Sequence, residues 1–177
     1  MAYTLQQLSD FEDIRALKHR YLRAVDTADL PLLSSLFTED LEIDFRGGNY
    51  VVQLTGRAKM VEFIGNTFNT SLVAMHHGHL PEITLTGFHS AKGIWSLEDI
   101  VIKLQTRELI TGSAIYRDVY RREGGSWKIA RSEYERVMEF SVPFPADGKI
   151  LAHYLARHGR RLEDCADVSD VLTFEPA

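Results

Sequence analysis

Between Leu72 and Phe140 the chain reads as strand almost without a break. The runs are 72–77, 81–86, 91–105, 108–122 and 126–140, parted only by short turns, with Gly87 in one and Gly124-Gly125 in another. A parallel neighbour needs a crossover of roughly a dozen residues, so turns this short dictate antiparallel pairing. The last three runs are long, and long antiparallel strands twist and curl. One face of such a sheet needs a cover, and the residues before Leu72 supply it.

Ser9 followed by Glu12 reads as a capping box, and Phe11, Ile14, Leu17, Tyr21, Leu22 and Val25 then recur at helical spacing. A second, short helix is expected from Asp29 as N-cap, with Pro31 in its first turn and Leu32, Leu33, Leu36 and Phe37 on one face. The period then falls to two. Leu41, Ile43 and Phe45 alternate with Glu42 and Asp44, Gly47-Gly48-Asn49 turns, and Tyr50 to Leu54 returns as the hairpin partner. Residues 57–68 read as a third helix, and Asp147 is expected to cap a final one carrying Ile150, Leu151, Tyr154 and Leu155. Helices first and long strands later make the class α+β, with a sheet that curls around its helices and encloses a pocket.

The chain has 177 residues, 45% apolar and 25% charged, which suits one packed domain and excludes a disordered or fibrous chain. Net charge is −5, but five acids and no base follow Arg161 (Glu163, Asp164, Asp167, Asp170 and Glu175), so the acidity belongs to the tail. With no basic stripe, nucleic acid is not an expected partner. No apolar run is long enough for a membrane span, and Met1 to Leu5 carries no signal-peptide features. The single cysteine, Cys165, can form no internal disulfide, which fits a cytoplasmic protein.

No Gly-rich phosphate loop, dinucleotide fingerprint, zinc-protease helix or serine nucleophile elbow is present. Chemistry here would fall to side-chain acids and bases, and no cofactor is expected. Tyr21 lies at the centre of the apolar face of the first helix, where a tyrosine is ordinarily core. Asp26 lies at the face's edge, near the helix C-terminus, where the macrodipole disfavours an acid. His76, His77 and His79 fall within one strand-like segment. Strand alternation puts His77 and His79 on one face and His76 on the other, which speaks against a metal held by all three. A single inward histidine, oriented by a carboxylate on its other ring nitrogen, suits a general base. Asp99 alternates with Trp95, Leu97 and Val101, and Arg136 with Tyr134 and Met138. Each could instead be half of an ordinary cross-strand ion pair.

The stretch Arg20-Tyr21-Leu22-Arg23-Ala24-Val25-Asp26, with Leu36 to Asp40 and Trp127-Lys128-Ile129, resembles the SnoaL-like branch of the nuclear transport factor 2-like superfamily. Met75-His76, Gly78-His79, Pro81-Glu82-Ile83-Thr84, Gly93, Trp95 and Leu97-Glu98-Asp99 are most similar to the bile-acid 7α-dehydratases of that branch, to which scytalone dehydratases also belong. The resemblance covers roughly residues 10–142. It implies a cystatin-like cone, in which a curved antiparallel sheet wraps three N-terminal helices, with residues 1–145 as the cone and 146–177 as a helix and acidic tail of the same domain. A homo-trimer or homo-dimer is implied too.

By position the resemblance puts catalytic roles on Tyr21, Asp26, His76, Asp99 and Arg136, and pocket positions on Phe45, Trp95 and Tyr116. Phe45 departs from the pattern, standing where a second pocket tyrosine is the rule. The implied activity is a cofactor-independent, metal-free lyase of the dehydratase type, acting on an apolar, multi-ring or aromatic small molecule. Isomerase, dehydrohalogenase and C–C lyase chemistry begin with the same proton movement. A non-catalytic assembly subunit, as in ring-hydroxylating dioxygenases, is the alternative of a different class. It needs no Asp–His pair in the cone.

Overall fold

Thr4 opens the first helix, α1 (Leu5–Thr27), in a computed structural model that describes residues 2–174. Its side chain accepts the Gln7 N–H at 3.2 Å, and the Gln7 side chain accepts the Thr4 N–H at 2.9 Å. The capping box therefore lies one turn upstream of the expected Ser9–Glu12 pair. Both tetrapeptides fit the motif, and the earlier one leaves Ser9 in the helix interior. Ile14, Leu17, Tyr21, Leu22 and Val25 are buried as their spacing implies. Lys18 is buried with them. The helix stops at Ala28, whose left-handed backbone (φ 48°) turns its N–H back onto the carbonyls of Ala24 and Val25.

The short helix α2 (Leu30–Leu36) starts as expected, with the Asp29 carboxylate accepting the Leu32 N–H at 3.0 Å. Phe37, assigned above to this helix's face, instead begins strand β1 (Phe37–Arg46). The Gly47-Gly48-Asn49 turn leads into β2 (Tyr50–Thr55), and α3 follows (Arg57–Thr67).

Four long strands complete the sheet: β3 (Leu72–Gly87), β4 (Ser90–Lys103), β5 (Glu108–Glu123) and β6 (Ser126–Pro143). The runs 72–77 and 81–86 are one strand, because a bulge between His79 and Glu82 absorbs the irregularity at Leu80, whose φ is 47°. The seven-stranded order is β3-β4-β5-β6-β1-β2-β7, where β7 is Leu172–Phe174. The sheet is mixed rather than wholly antiparallel. β1 runs parallel to β6, since α1, α2 and β1 all precede the meander and return the chain to its open flank. The three helices pack on the concave face, and most of the buried side chains lie between them and the sheet.

The expected helix from Asp147 is not formed. Phe144 N–H bonds to the Arg107 carbonyl (2.7 Å), the Arg107 guanidinium holds the Pro145 carbonyl (2.7 Å), and Gly148 N–H closes a turn on Pro145. These bonds commit the backbone to a turn, and only one helical turn, α4 (Leu155–His158), remains. The tail beyond it is docked. Arg160 pairs with Glu62 and Asn66 on α3, Asn66 also accepts the Ala166 N–H, and the chain then becomes β7 at the edge of β2. Among the described residues no helix is long and apolar enough to cross a membrane.

Candidate active site

The curled sheet, α1, α3 and β7 enclose a cavity of about 220 Å³. Its walls are mainly apolar, with Val25, Phe63, Phe68, Leu97 and Leu172 among the lining residues. Polar groups enter at a few points, which is the usual make-up of a small-molecule site.

The first point is Asp26, at the end of α1. One carboxylate oxygen lies 2.5 Å from His76 Nδ1, and the other accepts the His76 backbone N–H at 3.0 Å. The macrodipole disfavours an acid at this helix end, and the two contacts to His76 offset that penalty. Alternation on β3 turns His76 into the cavity and His77 outward. His76 Nε2 is 3.9 Å from Asp99 Oδ2, so the imidazole stands between two carboxylates.

Asp99 is the cross-strand partner of His76 and is buried. Both of its oxygens accept from the Arg136 guanidinium, at 2.7 Å each, in a bidentate pair that reaches over β5. Gly112 lies in register with Asp99 on one side and Glu139 on the other. A Cβ there would sit 2.3 Å from the Met138 carbonyl oxygen, so only glycine lets β6 come this close. A bulge opposite Ser113/Ala114 then breaks the alternation expected on β6. Arg136 stays inward, Met138 is exposed, and Glu139 is brought to the Arg136 side, 2.7 Å from its Nε. Burial works to lower the Arg136 pKa, but the Asp99 hydrogen bonds and the surrounding negative groups hold it above its ordinary value. Arg136 is a fixed cation.

Tyr21 lies against Tyr116, edge to face, with ring centres 6.3 Å apart. Burial raises both pKa values. Phe45 stacks on Tyr134 with centres 4.5 Å apart and 20° between planes. The Tyr134 hydroxyl is hydrogen-bonded to that of Tyr50, and both line the cavity. Nothing in the sequence marks Tyr50, Tyr134 or Glu139 as site residues. Tyr134 shares the alternation of Arg136, but nothing in the sequence locates the bulge that turns Glu139 inward.

Trp95 is not a cavity residue, contrary to expectation. It is fully buried farther down β4, beneath α1, and its indole N–H donates to the Tyr120 hydroxyl at 2.8 Å. That hydroxyl donates to Asp118, which also accepts from Ser132 and pairs with Lys18 Nζ at 2.8 Å. Lys18 Nζ lies 3.4 Å from the centre of the Tyr116 ring, so this closed polar cluster supports the cavity floor from below.

Among the described residues one group of three metal-capable side chains gathers, His77, His79 and Glu98. All three are exposed, and none lines the cavity.

The SnoaL-like domain family matches residues 6–133. Solved structures with the same fold include a hexachlorocyclohexane dehydrochlorinase (LinA type 2), 19% identical, with 82% of this chain and 99% of that one covered and a TM-score of 0.71. A scytalone dehydratase candidate from Novosphingobium aromaticivorans is 21% identical, with 90% and 97% covered and a TM-score of 0.66. A nuclear transport factor 2-like protein with a cystatin-like fold, also from Novosphingobium aromaticivorans, is 22% identical over 75% and 85%, with a TM-score of 0.59. At these identities the likeness is one of fold.

Proposed function

We propose, for a chain that belongs to the SnoaL-like domain family, that the cavity is the active site of a cofactor-independent lyase of the dehydratase type. One observation carries the reading. Asp26 occupies Nδ1 of His76, which leaves Nε2 as the ring nitrogen available to a molecule in an apolar cavity. A carboxylate on one imidazole nitrogen fixes the tautomer and stabilises the imidazolium that forms when the other takes a proton.

In this reading Nε2 removes a proton from carbon beside a carbonyl. The C–H electron pair becomes the enolate, and the enolate's electrons then expel a hydroxyl that leaves as water with a proton from a nearby donor. Tyr21 either supplies that proton or stabilises the enolate oxygen. Its hydroxyl stays protonated because burial raises its pKa. Asp99, with both oxygens on Arg136, stands 3.9 Å from Nε2 without a hydrogen bond to it, so this part of the cavity wall is charged but internally paired. An apolar cavity of about 220 Å³ suits an aromatic or fused-ring skeleton. The expected gain from a positioned base is roughly 10²–10⁴ in rate.

Deuterium uptake tests this without knowledge of the leaving group. A panel of aromatic and fused-ring ketones is incubated with protein in D₂O, and exchange beside the carbonyl is read by mass spectrometry. Exchange by the wild-type protein and none by a folded His76→Ala variant is the expected result. Equal exchange by both proteins sinks the lyase reading and leaves a binding or assembly subunit. A halide or carbon leaving group, or a double-bond shift, would begin with the same exchange, and product analysis separates them.

A further inference from the structure

We propose that the hydrogen-bonded Tyr50–Tyr134 hydroxyl pair is the oxyanion site of this cavity, donating to the substrate oxygen that gathers charge as His76 takes the proton. The inference rests on the lyase reading and adds to it where the negative charge goes.

The two hydroxyls come from strands on either side of β1, and both line the cavity that His76 lines. His76 is on β3, at one end of the sheet order, and Tyr50 is on β2, near the other. Only the curl of the sheet brings base and hydroxyls to one space. A phenol hydroxyl has one proton and two lone pairs. The hydrogen bond between the two hydroxyls uses one proton of the pair and leaves a second to be donated. Phe45, Val52 and Leu172, in the cavity lining, carry no side-chain acceptor for it, and the oxygens of Glu139, also in the lining, are engaged by Arg136 Nε and the Gly48 N–H. A ligand oxygen would.

The pair is preorganised, which gives a donor its value in a transition state. Gly47 makes room for the Tyr50 ring, since a Cβ there would fall 2.1 Å from it. Phe45 stacks on the Tyr134 ring. Arg136 stands with its guanidinium carbon 5.7 Å from the Tyr134 ring centre, and it cannot swing, being held by Asp99 on one side and Glu139 on the other. Glu139 is itself anchored by the Gly48 N–H at 3.1 Å. Arg136 favours negative charge at the pair while Asp99 and Glu139 oppose it, and burial keeps both hydroxyls protonated and able to donate. Phe45 lacks a hydroxyl, and the strands flanking it bring two. With the enolate oxygen at Tyr50–Tyr134, the Tyr21–Tyr116 pair is left to protonate the leaving hydroxyl.

The test uses 4-nitrophenol, whose neutral and ionised forms differ in colour, as a probe of an anionic oxygen on an aromatic ring. Near the pKa of the probe, wild-type protein should bind it and raise its ionised fraction. Tyr50→Phe and Tyr134→Phe, checked for folding by thermal melts, should each lose that rise. His77→Ala, on the outer face, should keep it. The same tyrosine variants should slow ketone deuterium exchange by roughly 10²-fold, while KM changes little. No ionised probe bound by the wild-type protein, an unchanged rise in both tyrosine variants, or a rise lost in His77→Ala would each overturn the proposal. Absence of exchange in the wild-type protein would instead overturn the lyase reading, and the probe result would still decide whether the pair is an anion site.

Discussion

Asp26 holds His76 at two atoms, the ring Nδ1 at 2.5 Å and the backbone N–H at 3.0 Å, and so joins the end of α1 to the middle of β3. One carboxylate thus sets where the strand runs and which ring nitrogen carries the proton.

Asp26→Asn separates the two roles. The amide oxygen can still accept the backbone N–H, but the amide nitrogen must donate toward Nδ1, which pushes the ring proton onto Nε2. The base is then blocked with the strand in place. Exchange activity should fall by about 10²–10⁴, with little change in melting temperature. His77→Ala, on the outer face, should keep full activity, as should protein treated with a chelator. Steady-state exchange rates beside thermal melts make the comparison. Full activity in Asp26→Asn, or activity lost to a chelator, contradicts the assignment.

Asp99→Ala leaves the Arg136 guanidinium buried with only Glu139 against it. Removing one partner of a buried pair costs roughly 3–5 kcal/mol, and denaturant titration should read a loss of that size. Gly112→Ala reaches the same pair from beneath. The added methyl meets the Met138 carbonyl, so β6 must shift, at a cost of about 1–3 kcal/mol, and exchange should slow because Arg136 and Glu139 ride on that bulge. A Gly112→Ala variant with wild-type stability and rate would show that the close approach does not position the site.

The cone was legible because its signals are local and repeated. Alternation from Leu72 to Phe140, short turns and the apolar face of Ile14, Leu17 and Tyr21 all agree on one architecture. The meeting of Asp26, His76, Asp99 and Arg136 came only by position in a resemblance, because the contact between Asp26 and His76 joins residues 50 apart in sequence. Glu139 was hidden by the bulge that puts it on the face of Arg136. Tyr50 was read as hairpin and nothing more, since the partner of its hydroxyl lies 84 residues away. Position in a resemblance puts Trp95 on the inward face of β4 and does not say how far α1 extends over it, and that cover is why it lies outside the cavity. The final helix failed where Arg107, from a distant turn, bonded the backbone first.

Lys18 sits on the buried face of α1 with Nζ paired to Asp118, and neither side chain is exposed. Burial lowers its pKa, and the Asp118 charge and hydrogen bond oppose that shift. Lys18→Met should cost about 3–5 kcal/mol, because Asp118 keeps its charge and loses its cation. Adding Asp118→Asn should recover part of that loss, since the amide is neutral, its oxygen can still accept from Tyr120, and its nitrogen can donate to the Ser132 hydroxyl oxygen. A double-mutant cycle in denaturant gives the coupling. Independent, additive losses would mean that the pair is not a unit.

The alkaline limb of stability follows from the tyrosines. Five of the seven, Tyr21, Tyr50, Tyr116, Tyr120 and Tyr134, are raised in pKa, chiefly by burial. An unfolded tyrosine loses its proton near pH ~10. Above that pH the unfolded chain therefore binds fewer protons at these five positions than the folded one, and the slope of unfolding free energy against pH is negative. The stabilisation is whole below about pH 10 and is lost as pH climbs toward the folded values. Lys18 pulls the other way, since its lowered pKa makes the unfolded chain the better proton binder below about pH 10.5. It is one group against five. Tyrosinate absorbance from these five should appear in one step, together with loss of the far-ultraviolet circular dichroism signal, and denaturant midpoints should fall from about pH 10 upward. Five tyrosines ionising gradually in a folded chain would show that water reaches their hydroxyls and that burial does not hold their pKa values up.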